Sequence, residues 1–316
     1  MSKFLLKLLI FSSGILFCSI LFSSVYKGKD RENNYMESIV DKHQALLDFK
    51  SPKIILAGGS NLAFGINSEE LTSGFKLPVV NLGLHAGLGL EFILNELKDC
   101  VNQNDIVFLS IEYFLEKEGD YKLKKHTSSY FPKASSYYDK TLLSDISIFL
   151  DDFKLKLREI FNKDASNASE INSIIYNRKS FNKFGDMIGH LNQHPKDSLY
   201  DNGQLIYRDW EGISALNSFN EFANNKKIQV YYFFPCYAES KYNLNKIAIN
   251  KLFFDLKKNL KIQIINTPTD FVYSDTLFYD TVYHLSKIGR SLRTKKMIYL
   301  IKNNSSIQNK ILMIKQ

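Results

Sequence analysis

The stretch IILAGGSNLAFGI (residues 54–66) reads as a buried strand that runs into a sharp turn. Ile54 to Ala57 form a short, partly β-branched apolar run behind Pro52, the pattern of a central parallel strand covered on both faces. Two glycines follow, then Ser60 and Asn61. Glycine lets the backbone bend and approach its surroundings closely. The stretch therefore fits a plain turn, or an elbow that presents the Ser60 hydroxyl at the end of a strand.

The pattern repeats outward from this point. LPVVNLGLHAGLGLEFILNELKDCV (77–101) reads as a strand, a glycine-rich turn and a helix from about Leu88. NDIVFLSIEYF (104–114) reads as a second buried strand with polar residues at its C-terminal end. SEELTSGF (68–75) reads as a helix capped by Ser68. Further strands are expected over Ile228–Phe234 and in KIQIINTP (261–268), before a closing helix after DTVYH (280–284). Strands alternating with helical patterns predict βαβ units and an α/β fold with a parallel sheet. Residues 115–215 are aromatic, helical in period and broken by serines, and read as a largely helical insertion.

The 316 residues suffice for one large domain with attachments, and 45% apolar residues suffice for a core. The net charge of +8 is spread among Asn and Ser rather than gathered in a stripe. No nucleic-acid-binding motif is present, so a solvated lysine-rich surface, a membrane surface or an anionic polymer fits the charge better. Cys18, Cys100 and Cys236 form no CxxC pair, so no zinc or redox motif is expected; a Cys100–Cys236 disulfide is left open. His190 and His194 in GHLNQHP have i, i+4 spacing, but no third metal ligand can be named.

Residues Leu8 to Tyr26 carry no charge and are about long enough to cross a bilayer core as a helix. Bulky residues stand where a cleavage site needs small ones, so 1–26 reads as an uncleaved signal anchor. Lysines flank both sides and do not fix the orientation; a short N-terminal tail is expected to leave the large domain outside the cytoplasm. Residues 27–50 read as a linker helix and 51–316 as the domain with its insertion.

Ser60, the NLGLHAG turn, the SIEY end and the DTVYH loop all follow predicted strands. In open parallel sheets ligands bind outside the carboxyl ends of the strands, so these distant segments are expected to converge. Ser60 is the candidate nucleophile and His284 its base, with Asp280 fixing the imidazole tautomer. Asp280 also fits a helix cap. The Ser60 and Gly83 amides are candidate oxyanion donors. Asn61 could position substrate or only bond backbone, and His85 could line the pocket or be structural. Glu112 and Tyr113 are expected at the floor of the same cleft.

GGSN after one strand, NLG after the next and FYDTVYHLSKIGR (278–290) near the end resemble the ordered blocks of SGNH/GDSL hydrolases, over about 51–115 and 225–300. They are most similar to the membrane-anchored branch found with bacterial cell-surface polysaccharide genes. The resemblance implies a flavodoxin-like three-layer α/β/α sandwich, with Ser60 as nucleophile, Gly83 as oxyanion donor and His284 as base. It further implies ester hydrolysis or O-acyl transfer on a cell-envelope glycan or glycolipid, a membrane acyltransferase partner and no cofactor. Three positions depart from the pattern. Gly59 replaces the acid of GDS, Glu112 stands where an oxyanion-stabilising Asn is expected, and D-x-x-x-H replaces D-x-x-H. These departures keep open a non-catalytic binding or assembly protein; an ordinary secreted esterase is a further alternative. The expected geometry has Ser60 Oγ about 3 Å from a His284 nitrogen. The Gly83 amide should face the same pocket and Glu112 should aim away from the oxyanion.

Overall fold

The computed structural model describes residues 3–11, 13–14, 34–161, 174–201 and 203–314. The chain divides into two units. One comprises Met1–Asn34 with Lys140–Ser173, the other Tyr35–Asp139 with Ile174–Gln316.

The second unit is built on five parallel strands: β1 (Ile54–Gly58), β2 (Val79–Asn81), β3 (Ile106–Ser110), β4 (Gln229–Phe233) and β6 (Gln263–Ile264). Their order is 2-1-3-4-6. Ile54 pairs with Val79 on one side and Ile106 on the other, Ile106 pairs with Gln229, and Tyr231 pairs with Gln263. Every residue of β1, β2 and β3 is buried, which is why these strands read as unbroken apolar runs rather than alternating ones. The order reverses between β1 and β3, so their carboxyl ends flank the crevice where doubly wound sheets bind ligands. A two-stranded parallel ribbon, β5 (Tyr237–Ala238) with β7 (Val272–Tyr273), was not legible in the sequence.

Helix α1 (Ser38–Asp48) was expected to be a linker. It belongs instead to the second unit, with Ile39 and Lys42 buried and the helix packed beside β2. After β1 come α2 (Ser60–Gly65) and α3 (Ser68–Phe75). The cap of α3 is Asn67, whose side chain accepts the Glu70 N–H. Ser68 is drawn away by Asp186, to which its hydroxyl donates at 2.6 Å and its N–H at 2.8 Å. Helix α4 (Leu90–Cys100) packs against α7 (Gly212–Asn225), while α9 (Lys287–Lys302) packs against α2, α3 and α10 (Ser305–Ile314). Helix α5 (Tyr121–Tyr130) and α8 (Glu239–Asn259) complete this unit.

The expected insertion at 115–215 is not one body. Residues 140–173 fall in the unit that contains the N-terminus, and the remainder is woven into the second unit. Its returning segment extends the β2 edge, with the Asn81 N–H donating to Phe184 O at 2.7 Å and the Met187 N–H to Ala63 O at 2.8 Å. Gly185 makes this approach possible: its φ is +87°, and a Cβ there would lie 2.2 Å from Asn81 O. Beneath it Asp186, fully buried, gathers Ser68, the Asn81 amide and the Arg290 guanidinium. A buried carboxylate persists only when its lone pairs are met in this way.

In the first unit, residues 3–11 are helical and α6 spans Leu142–Phe161. Phe4, Leu5, Leu6, Leu8, Leu9, Ile10 and Phe11 are all exposed. Most of the expected span 1–26 lies outside the described residues, as does Cys18. Among the described residues no helix is long and apolar enough to cross a membrane. Cys100 and Cys236 are both free thiols, so the disulfide left open by the sequence is absent.

Candidate active site

A cavity of about 1010 Å³ opens at the carboxyl ends of β1 and β3. Its wall brings together Ser60, His85, Glu112, Tyr113 and His284, residues separated by more than two hundred positions, as the convergence argument expects. Tyr35 and Tyr176, which sequence reasoning missed, line it too.

Ser60 is the first residue of α2. The turn before it is held by Glu112, whose Oε2 accepts the Gly59 N–H at 3.2 Å and whose Oε1 accepts the Asn61 N–H at 3.0 Å. The amide between them, that of Ser60, has no partner among the described residues and stays available as a donor. Glu112 thus does the work of a helix cap from just beyond the end of β3. It also explains the glycine: a Cβ at residue 59 would lie 2.4 Å from Oε1. A side chain at position 59 and the glutamate at position 112 would therefore compete for one space.

The far side of the same turn is held by Arg293, a buried guanidinium that donates to Asn61 O at 2.6 Å, Asn61 Oδ1 at 2.9 Å and Ser110 Oγ at 3.0 Å. Asn61 is therefore not a substrate contact. It is fully buried, and its amide nitrogen donates to Ser110 O at 2.9 Å. The Gly83 amide does not face the cavity either: it donates to Asn81 Oδ1 at 2.9 Å, because the Asn81 side chain folds back over the turn.

His284 and Asp280 meet despite the extra residue between them. His284 Nδ1 lies 2.8 Å from Asp280 Oδ1, and the imidazole stacks on Phe64 with ring centres 3.9 Å apart and planes 4° from parallel. The loop closes through the Tyr279 N–H to His284 O and the Tyr200 N–H to Asp280 O, both at 2.7 Å. The Tyr176 hydroxyl donates to Asp280 Oδ2 and lies 3.2 Å from His284 Nδ1. Burial works to raise the Asp280 carboxyl, but the hydrogen bond and charge of His284 and the Tyr176 hydroxyl outweigh it and hold it below the ordinary carboxylate value. Burial and the Asp280 charge push the Tyr176 hydroxyl up, so it stays protonated. His284 Nε2 has no partner among the described residues. Ser60 Oγ makes no hydrogen bond to it, although both line the cavity.

His85 lies on the same wall with its Nδ1 accepting the Gly87 N–H at 2.9 Å. The ring stays open to solvent, but the protein packed around it, together with the nearby His284, lowers its pKa and favours the neutral ring, whose hydrogen is then on Nε2. His190 is structural. Its Nε2 lies 2.9 Å from Leu285 O, burial pushes its pKa down to about 4, and His194 is exposed. No cluster of three metal-ligating side chains exists among the described residues.

Fold and site together define a parallel α/β protein with a serine and an Asp-bonded histidine on one cavity, at the switch point of its sheet. Compared with models of known protein families the sequence matches none. Comparison with curated proteins gives no match either.

Proposed function

We propose that this chain is a membrane-anchored SGNH-type serine esterase or O-acyltransferase. Its fold would be the three-layer α/β/α sandwich of that superfamily, and its substrate an acyl ester on a cell-envelope glycan or glycolipid. The observation that carries the reading is His284, bonded to Asp280 behind it, on the cavity wall that also holds Ser60. Hydrogen-bonded through Nδ1, the imidazole keeps Nε2 free as a base.

In this mechanism Ser60 Oγ attacks the ester carbonyl while His284 Nε2 takes its proton. Asp280 stabilises the imidazolium that results. The Ser60 N–H meets the oxyanion, and the His85 Nε2–H is the further donor on the wall, taking the place the resemblance gives to Gly83. His284 returns the proton to the departing alcohol, leaving an acyl-Ser60 ester. Water or a sugar hydroxyl then attacks that ester with His284 again as base. The chemistry needs no metal or organic cofactor. The donor would be an acyl ester supplied by a membrane acyltransferase, and the exposed apolar residues Phe4 to Leu6 and Leu8 to Phe11 are consistent with a membrane address facing the cell envelope.

A serine-reactive phosphonate tests the assignment. It should label the wild-type chain and fail on Ser60→Ala and His284→Ala, with both variants folded. Undiminished labelling of Ser60→Ala would remove Ser60 from the mechanism. In cells, loss of Ser60 should change the O-acyl content of the surface polysaccharide.

One observation favours a second reading, a non-catalytic binding or assembly protein on the same fold. The Gly83 amide is occupied by Asn81, so the second backbone oxyanion donor is missing. That reading calls for no labelling of the wild-type chain and an unchanged O-acyl content in Ser60→Ala cells.

A further inference from the structure

The returning limb of the insertion delivers one hydroxyl to the Asp280–His284 pair. We infer that Tyr176 is a positioning residue that orders Asp280 and fixes the tautomer of His284, the third member of a Tyr–Asp–His relay.

Protons and lone pairs around Nδ1 decide its protonation. The Tyr176 hydroxyl has one hydrogen, and it is committed to Asp280 Oδ2. What the hydroxyl turns toward His284 Nδ1, 3.2 Å away, is an oxygen lone pair. The other neighbour of Nδ1, Asp280 Oδ1 at 2.8 Å, is also an acceptor. A ring nitrogen facing two acceptors must carry the hydrogen, so Nδ1 is protonated and Nε2 is bare in the neutral ring. Without Tyr176 the Asp280 carboxylate loses the partner of Oδ2 and is free to rotate. The Nδ1–H bond to Oδ1 that enforces the tautomer is then weakened.

The placement is built rather than incidental. The Tyr176 ring packs on Tyr35 and on Phe64, each at 5.6 Å between ring centres, and Phe64 carries the His284 imidazole on its face. Tyr35 is itself tied to Leu84 O through its hydroxyl at 2.6 Å. His284 bonds one oxygen of the Asp280 carboxylate, and Tyr176 occupies the other.

The inference rests on the reading of His284 as base, but its test does not require turnover. Nitrogen-15 spectra of the imidazoles in the full chain distinguish the two tautomers directly. The wild type should show His284 with hydrogen on Nδ1 alone. Tyr176→Phe keeps the ring and its packing and should give a mixture with a measurable Nε2–H population. Phosphonate labelling of Ser60 should slow in proportion to the lost tautomer. An unchanged tautomer in a folded Tyr176→Phe overturns the inference, even where labelling slows. The wild type gives a reading that needs no variant: a slowly exchanging hydroxyl proton coupled to the Tyr176 ring. A freely exchanging hydroxyl overturns the inference too. Failure of the wild type to label, with the tautomer still dependent on Tyr176, counts against the enzyme reading and leaves the relay standing.

Discussion

At the scale of single residues, the turn that presents Ser60 is a peptide segment held between two buried side chains of opposite charge. Glu112 accepts the amides of residues 59 and 61, and Arg293 donates to the carbonyl and side chain of Asn61. Neither role was legible in the sequence, because the partners are 51 to 53 and 232 residues apart and obey no local spacing. Ser60, Asp280 and His284 were legible, since their candidacy follows from residue type and position after a strand. The clamp makes a quantitative prediction. Glu112→Ala leaves two buried amides unpaired and should cost about 2–4 kcal/mol. Gly59→Asp places a carboxylate where one already stands and should also destabilise. Combined, the two changes move the acid to residue 59 and fill the space once. The double variant should then be more stable than the sum of the singles by about 1 kcal/mol or more, read from urea denaturation of all four chains. Strict additivity would show that the two positions do not share a space. Ser60→Ala, with no side-chain hydrogen bond to lose, should stay within about 0.5 kcal/mol of wild type.

At the scale of elements, β1, β2 and β3 were readable because both faces of each strand are buried and the sequence has to be apolar throughout. The short β5 and β7 were not, because two residues set no period. Helix α1 shows why amphipathic spacing alone misplaces an element. Its apolar positions predicted a helix, yet its attachment to the sheet depends on a lysine. Lys42 Nζ donates to Asn81 O at 3.0 Å and to Gly185 O, and it lies 4.6 Å from the centre of the Phe181 ring. Burial lowers its pKa from 10.5 to about 7, while Asp186, Glu96 and Asp41 oppose the shift. A neutral amine has two hydrogens for these two carbonyls. Between about pH 7 and 10.5 the unfolded chain holds a proton that the folded chain has released, so Lys42 makes stability rise with pH across that window. Below pH 7 both states carry the proton and the gain is absent. Thermal melts at pH 6.5 and pH 10 should show this rise in wild type and a smaller one, or none, in Lys42→Met. Equal pH dependence in the two chains would mean that Lys42 is not the group responsible.

At the scale of the whole molecule, the units divide the chain where the sequence did not. The second unit begins at Tyr35 and takes up α1, whose Ile39, Ala45 and Leu46 are buried. Deleting residues 1–26 should release the protein from the membrane fraction with its melting temperature unchanged. Wild-type protein recovered only in the soluble fraction, shortened at its N-terminus, would replace the anchor with a cleaved signal. What the sequence by itself determined is the parallel α/β class, the strands at its centre and the segments that meet at their carboxyl ends. These follow from local apolar runs and from the rule that strand ends share one edge. Only the tertiary structure decided which donors and acceptors are left over there. It turned Asn61 and Gly83 inward, made Glu112 a backbone clamp and brought Tyr176 to Asp280. The reason is physical: burial obliges each polar group to find a partner, and the partner is whichever group the packed chain brings within 3 Å, at whatever distance in sequence.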